Sequence, residues 1–125
     1  MSGVYGGSSA TAVISPPAIR AAKGEQKTSI GNTVETTIIT AGVNFRDLYG
    51  LIVANTGVTA TAFNVRSQTG GAILATVEVP AGDTRGFMLP ADSSIDQAVA
   101  ASPWTGQATS STNLEITALY VENGP

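Results

Sequence analysis

The sequence predicts an all-β fold: a single antiparallel β-sandwich of about seven or eight short strands, jelly-roll-like or immunoglobulin-like in outline, behind an extended N-terminal arm. Three observations carry this. Val and Ile far outnumber Leu and Met, and Thr is abundant; branching at Cβ restricts a side chain in a helix but suits a pleated sheet. The 14 Gly fall largely between the apolar runs, where turns belong. Within most runs apolar residues recur every second position. No tandem repeat is present, and none of these signals specifies the strand order.

Residues 1–28 read as the arm and residues 29–125 as the sandwich domain. Gly3, Gly6, Gly7, Ser8 and Ser9 make a flexible lead, and Ala12 to Ser15 is a short extended candidate. Pro16-Pro17 forbids a helix and restricts Ser15 to extended backbone. Arg20, Lys23 and Lys27 place three of the 6 basic residues here. From Thr33 the pattern is strand, turn, strand. Val34, Thr36 and Ile38 alternate with Glu35, Thr37 and Ile39, and a turn follows at Ala41 to Asn44. Leu48 to Asn55 is apolar on both faces, which belongs to a central strand, and Asn55-Thr56-Gly57 turns the chain.

Thr61, Phe63 and Val65 face inward against Ala62, Asn64 and Arg66. Gln68 to Gly71 suits a hairpin, because Gly supplies the positive φ that such turns need. Ile73, Ala75, Val77 and Val79 alternate with Leu74, Thr76 and Glu78 up to a turn at Pro80 to Asp83. Arg85, Phe87 and Leu89 form a short strand bounded by Pro90. Ala91 to Ser102 reads either as a helix, with Ile95, Ala98 and Val99 on one face and a cap at Asp92, Ser93 or Ser94, or as a loop with one helical turn. Trp104 to Thr109 is a weak strand. Leu114, Ile116, Ala118 and Tyr120 alternate with Glu115, Thr117, Leu119 and Val121 in the clearest one.

Composition excludes much chemistry. The chain has 125 residues, no Cys and no His. Disulfides, thiolate metal sites, thiol nucleophiles and imidazole-based catalysis are therefore out. Charged residues make up 12%, with a net charge of −3, so phosphate-backbone binding is not expected. Met1 to Gly7 has neither a basic nor an apolar signal region, and no apolar run approaches a membrane span. Synthesis in a host cytoplasm, with no nucleic-acid or membrane partner, is the expectation.

No catalytic, cofactor or metal residue is assigned. Asp92 and Asp96 read as solvated loop charges rather than an acid–base pair. Gly24 to Ser29 carries a Lys-Thr pair but lacks phosphate-loop spacing, and reads as an arm-to-domain linker. A calcium ion between loops would use Asp47 or Asp83, and no calcium-loop spacing calls for one. Of the aromatics, Phe63, Phe87 and Tyr120 take core positions, and Trp104 is preferred as a core plug over a rim residue. Tyr5, among glycines, is either an anchor in a neighbouring chain or an incidental residue of a terminus. The candidate functional residues are a partner-contacting set on the arm: Val4, Tyr5, Val13, Ile14, Pro16, Pro17, Ile19, Arg20 and Lys23. An extended arm of this kind adds to a neighbour's sheet edge through backbone hydrogen bonds.

The runs Ile30 to Ile38, Phe45 to Thr56, Gly70 to Val77, Pro80 to Phe87, Trp104, and Glu115 to Val121 together resemble small β-sandwich proteins encoded among the virion genes of tailed bacteriophages. That resemblance spans about residues 30–121 and rests on strand and turn signatures. It implies a non-enzymatic structural protein of the virion, of the head decoration or cement type. Such a protein sits on the capsid surface, bridges neighbouring major capsid subunits, and is a homo-oligomer, with a trimer favoured. The alternatives are a tail, neck or fibre-associated module and, in another class, a carbohydrate-binding sandwich. The last requires Trp104, Tyr49 or Phe45 exposed together.

Overall fold

A computed structural model describes residues 22–123. They form eight strands: β1 (Ala22–Ile30), β2 (Thr36–Ile39), β3 (Arg46–Asn55), β4 (Thr61–Arg66), β5 (Ile73–Val79), β6 (Thr84–Met88), β7 (Trp104–Ala108) and β8 (Leu114–Glu122). One sheet has the order β1-β8-β3-β6 and the other β2-β7-β4-β5. The antiparallel pairs β1–β8, β2–β7, β3–β6 and β4–β5 are those of one long hairpin folded back on itself. The pairs β3–β8 and β4–β7 then complete each sheet. This is the jelly-roll arrangement of two four-stranded sheets. The immunoglobulin alternative, with its different strand sets, does not apply.

The core lies between the sheets. From the first sheet come Ile30, Leu48, Leu51, Val53, Leu114 and Ile116; Ile38, Phe63, Val65, Val79 and Trp104 come from the second. Removing each large side chain from water stabilises the fold by about 1.5–3 kcal/mol before entropy is counted. β4 alternates as its sequence reads, with Thr61, Phe63 and Val65 buried and Ala62, Asn64 and Arg66 part-exposed. Phe63 has room only because a bare backbone faces it: a Cβ on Gly106 would sit 2.0 Å from its Cζ. β3 is apolar on both faces and lies inside its sheet, between β8 and β6. Gly70 and Gly82 both take positive φ, at 71° and 73°, in the turns expected there.

Several expectations change. The expected 28/29 boundary falls inside β1, and every residue from Ala22 to Ile30 pairs with β8. The Gly24–Ser29 stretch is therefore strand, not linker. Its signal was masked because the inward side is small and polar: a Cβ on Gly24 would lie 2.5 Å from the Tyr120 ring, which fills that space instead. The eighth strand is β1 rather than Ala12 to Ser15, which lie outside the described residues. β2 begins at Thr36, and a register shift between Thr37 and Ile39 buries both Ile38 and Ile39. Of the two readings of Ala91 to Ser102, the loop is found, with one 3-10 turn at Ala91–Ser93. It is held by Ile95, whose N–H donates to Leu48 O at 2.7 Å and whose carbonyl accepts from Leu48 N–H at 3.0 Å.

Candidate assembly surface

Of the candidate arm residues, Val4, Tyr5, Val13, Ile14, Pro16, Pro17, Ile19 and Arg20 lie outside the described residues. Lys23 is described, on β1 rather than on an arm. It is exposed, and its Nζ lies 5.9 Å from the centre of the Tyr49 ring. It belongs to a charged row with Glu25 and Lys27, whose Nζ is 2.8 Å from Glu25 Oε2 in the open, where such a pair contributes little.

Beside that row the outer face of the first sheet turns apolar. Antiparallel register brings Gly50 opposite both Met88 and Leu119, and Ile52 opposite Gly86 and Thr117. Met88 is 61% exposed and Ile52 40%. A Cβ on Gly50 would come 2.6 Å from Met88 Sδ and 2.9 Å from Leu119 Cδ1, so these two side chains lie down over bare backbone. The result is a low apolar patch, with Tyr49 at its border with β1. Sequence reading found the strands but not this patch. The available signal was glycine inside two strands, Gly50 and Gly86, which marks close approach of neighbouring groups.

The outer face of the second sheet is largely polar, with Leu74, 44% exposed, as its exposed apolar side chain, and several of its polar groups pair with one another. Glu35 Oε2 accepts from Thr105 Oγ1 at 2.6 Å and from Gly70 N–H at 2.9 Å. The Thr105 hydroxyl bond, the Gly70 N–H and the Arg66 charge together hold its carboxyl below the ordinary glutamate range. Arg66 donates through Nε to Gly71 O and through Nη1 to Gln107 Oε1. Thr76 Oγ1 donates to Asn64 Oδ1 at 2.7 Å. A face whose polar groups already have partners costs more to desolvate than an apolar one.

The remaining candidate residues are structurally engaged. Trp104 is fully buried, and its Nε1 donates to Arg46 O at 2.7 Å. It therefore plugs the core, and an exposed platform of Trp104, Tyr49 and Phe45 does not form. Asp47 is buried and accepts from Gln97 N–H and from Asn123 Nδ2. Asp83 accepts from Thr84 N–H and from Arg85, which together hold its carboxyl low. Asp92 and Asp96 are exposed. Among the described residues no group of three or more Asp or Glu side chains is placed to hold a metal ion. A shallow cleft of about 500 Å³ between Ala62, Val79 and Ser110 contains Glu78 as its one carboxylate, with Arg85 at its rim.

No protein-family model matches the chain, and no curated protein matches its sequence. Its fold has solved counterparts. A chain of the acidic stable capsid structure of Helicobacter pylori bacteriophage KHP30 superposes with a TM-score of 0.58 at 7% identity, over 82% of this chain and 90% of that one. A chain from the Bacillus endospore appendages, described as disulfide-linked pili, gives 0.50 at 14% identity, over 83% and 89%. A chain of the cyanophage Pam1 capsid asymmetric unit gives 0.49 at 11% identity, over 81% and 84%. At these identities the likeness is one of fold.

Proposed function

We propose that this chain is a structural protein of a tailed-phage virion, of the decoration type, bound on the capsid surface where it bridges neighbouring major capsid subunits. The observation that carries the reading is the pairing of a complete jelly roll with an uneven exterior. One outer face is mostly a network of paired polar side chains, broken by Leu74, and the other presents the low Met88–Ile52 patch. Jelly rolls recur in viral capsid domains, and the phage-capsid counterpart at a TM-score of 0.58 is consistent with that use. With no Cys, the chain has no means to assemble through disulfides as the endospore pili are described to do.

An oligomer, trimeric on the decoration reading, presents the patch to a like or unlike neighbour at small desolvation cost. Quantitative mass spectrometry of purified particles tests the reading. Copy number comparable to that of the major capsid protein is the expected result. Absence from the particle overturns it, and a handful of copies per particle transfers the chain to a tail, neck or fibre position.

A further inference from the structure

We propose that the open edge of β6 receives residues 10–15 of a second copy of this chain as an antiparallel ninth strand. The proposal deepens the assembly reading above by naming the partner segment and the edge that binds it.

Among the described residues β6 lies at one edge of its sheet and pairs only with β3. Leu89 N–H donates to Tyr49 O, and Asn55 N–H donates to Asp83 O. Antiparallel alternation from these two bonds turns the backbone of Arg85 and Phe87 toward β3. That leaves Gly86 and Met88 with their N–H and C=O groups facing outward. Thr84 N–H is already taken by Asp83 Oδ1, so the free edge starts at the Thr84 carbonyl. Among the described residues nothing pairs with this outer side. It adjoins the Met88–Ile52 patch on the outer face and half-buried Phe87 on the inner face. A short, glycine-containing edge beside exposed apolar side chains is a template for strand addition.

The segment Ala10-Thr11-Ala12-Val13-Ile14-Ser15 has the matching character. It is uncharged and contains two β-branched apolar neighbours, one for each face of a sheet. With Ser15 opposite Thr84, Val13 falls beside Gly86 and Thr11 beside Met88 on the patch side, and Ile14 beside Arg85 and Ala12 beside Phe87 on the core side. Pro16-Pro17 then ends the strand.

Geometry points to a second copy. Register aligns Thr84 with Ala54, Ala54 with Glu115 and Glu115 with Ser29. From there to Ala22 is about 24 Å along β1, and four strand spacings across the sheet are about 19 Å. The diagonal is about 30 Å, whereas the chain from Ser15 to Ala22 reaches about 25 Å at most. A chain cannot lay its own segment antiparallel on its own β6 in this register. A neighbour's segment has no such limit.

The absence of Cys makes a direct test clean. Full-length Thr11→Cys is mixed with a differently tagged full-length Met88→Cys, the residue opposite it in this register, and oxidised mildly. The expected product is a disulfide-linked pair containing one copy of each. A mixture in which Met88→Cys is replaced by Thr76→Cys, on the opposite sheet, should give at least tenfold less. In the unaltered chain, hydrogen exchange at the Gly86 and Met88 amides should be at least tenfold slower at high than at low protein concentration. No mixed pair, or fast exchange at every concentration, overturns the proposal. Slow exchange that does not change on dilution also overturns it, because it assigns the edge to the chain's own segment. None of these outcomes depends on particle copy number, so failure here and failure of the virion reading are separate events.

Discussion

Replacing Asn55 by Ala should remove one of the main ties at the turn end of the sandwich. The side chain is 2% exposed, and its amide is saturated. Nδ2 donates to Thr59 O at 2.8 Å and to Val79 O at 3.2 Å; Oδ1 accepts from Gly57 N–H at 3.0 Å and from Thr112 Oγ1 at 2.9 Å. One residue thus joins the β3–β4 turn, the end of β5 and the loop before β8. In Asn55→Ala the Val79 carbonyl and the Thr112 hydroxyl lose partners in buried surroundings, at about 1–3 kcal/mol each. The Gly57 and Thr59 groups lie nearer solvent, and water recovers most of their bonds, leaving about 0.5 kcal/mol each. The sum is about 3–7 kcal/mol, a large part of the ~5–15 kcal/mol that holds a domain together. It corresponds to a fall in Tm on the order of 15 °C.

Asn55→Asp separates hydrogen bonding from volume. Its carboxylate points acceptors at two carbonyls, so the charged form is disfavoured in the folded state and its folded pKa is raised. Relative to the parent, that variant should be weakest at neutral pH and recover as pH falls toward 4.5, because protonation restores one donor. Urea unfolding followed through the buried Trp104, the chain's only Trp, reports both effects. A cost below about 1 kcal/mol for Asn55→Ala, or an Asp variant without the pH-dependent recovery, would refute the reasoning.

Three further outcomes are expected. Gln97→Ala strips the acceptor 2.8 Å from Arg46 N–H and the donor 2.6 Å from Ser102 O, and should cost about 2–3 kcal/mol, with the 94–103 loop opened to limited proteolysis. Gly106→Ala drives a methyl into the Phe63 ring and should cost about 1–3 kcal/mol or more in chemical denaturation; Phe63→Leu in the same chain should cost less than the sum of the two changes. Glu35 contributes stability above the ordinary glutamate pKa and loses it as pH falls through its lowered folded value. Glu35→Gln should accordingly show a slightly shallower loss of stability below about pH 4.5 in acid-unfolding curves, a small effect because the group is only half-buried and solvent screens it.

Legibility in the sequence followed the range of the interaction. β4 was readable residue by residue, since a half-buried strand writes its two faces into its own alternation. β3 announced its central place by being apolar on both faces, and Gly70 and Gly82 marked turns through a conformation that other residues rarely adopt. β1 was read as linker because its inward face is filled by Tyr120, from the far end of the chain, rather than by its own side chains. β2 broke alternation for the same reason: a register shift against β7 turned two consecutive isoleucines into the core.

The candidate surface was less legible still. Met88, Leu119, Gly50 and Ile52 are far apart in sequence and become one patch only when β3 lies between β6 and β8. The sequence by itself determined the fold class, most strand positions, and the exclusion of thiol and imidazole chemistry, because these depend on residue type and local period. The jelly-roll order, the place of residues 22–30 in the sheet, the contrast between the two outer faces and the open edge of β6 were decided by tertiary structure. Each depends on which distant strands share hydrogen bonds, and a period of two carries no information about partners.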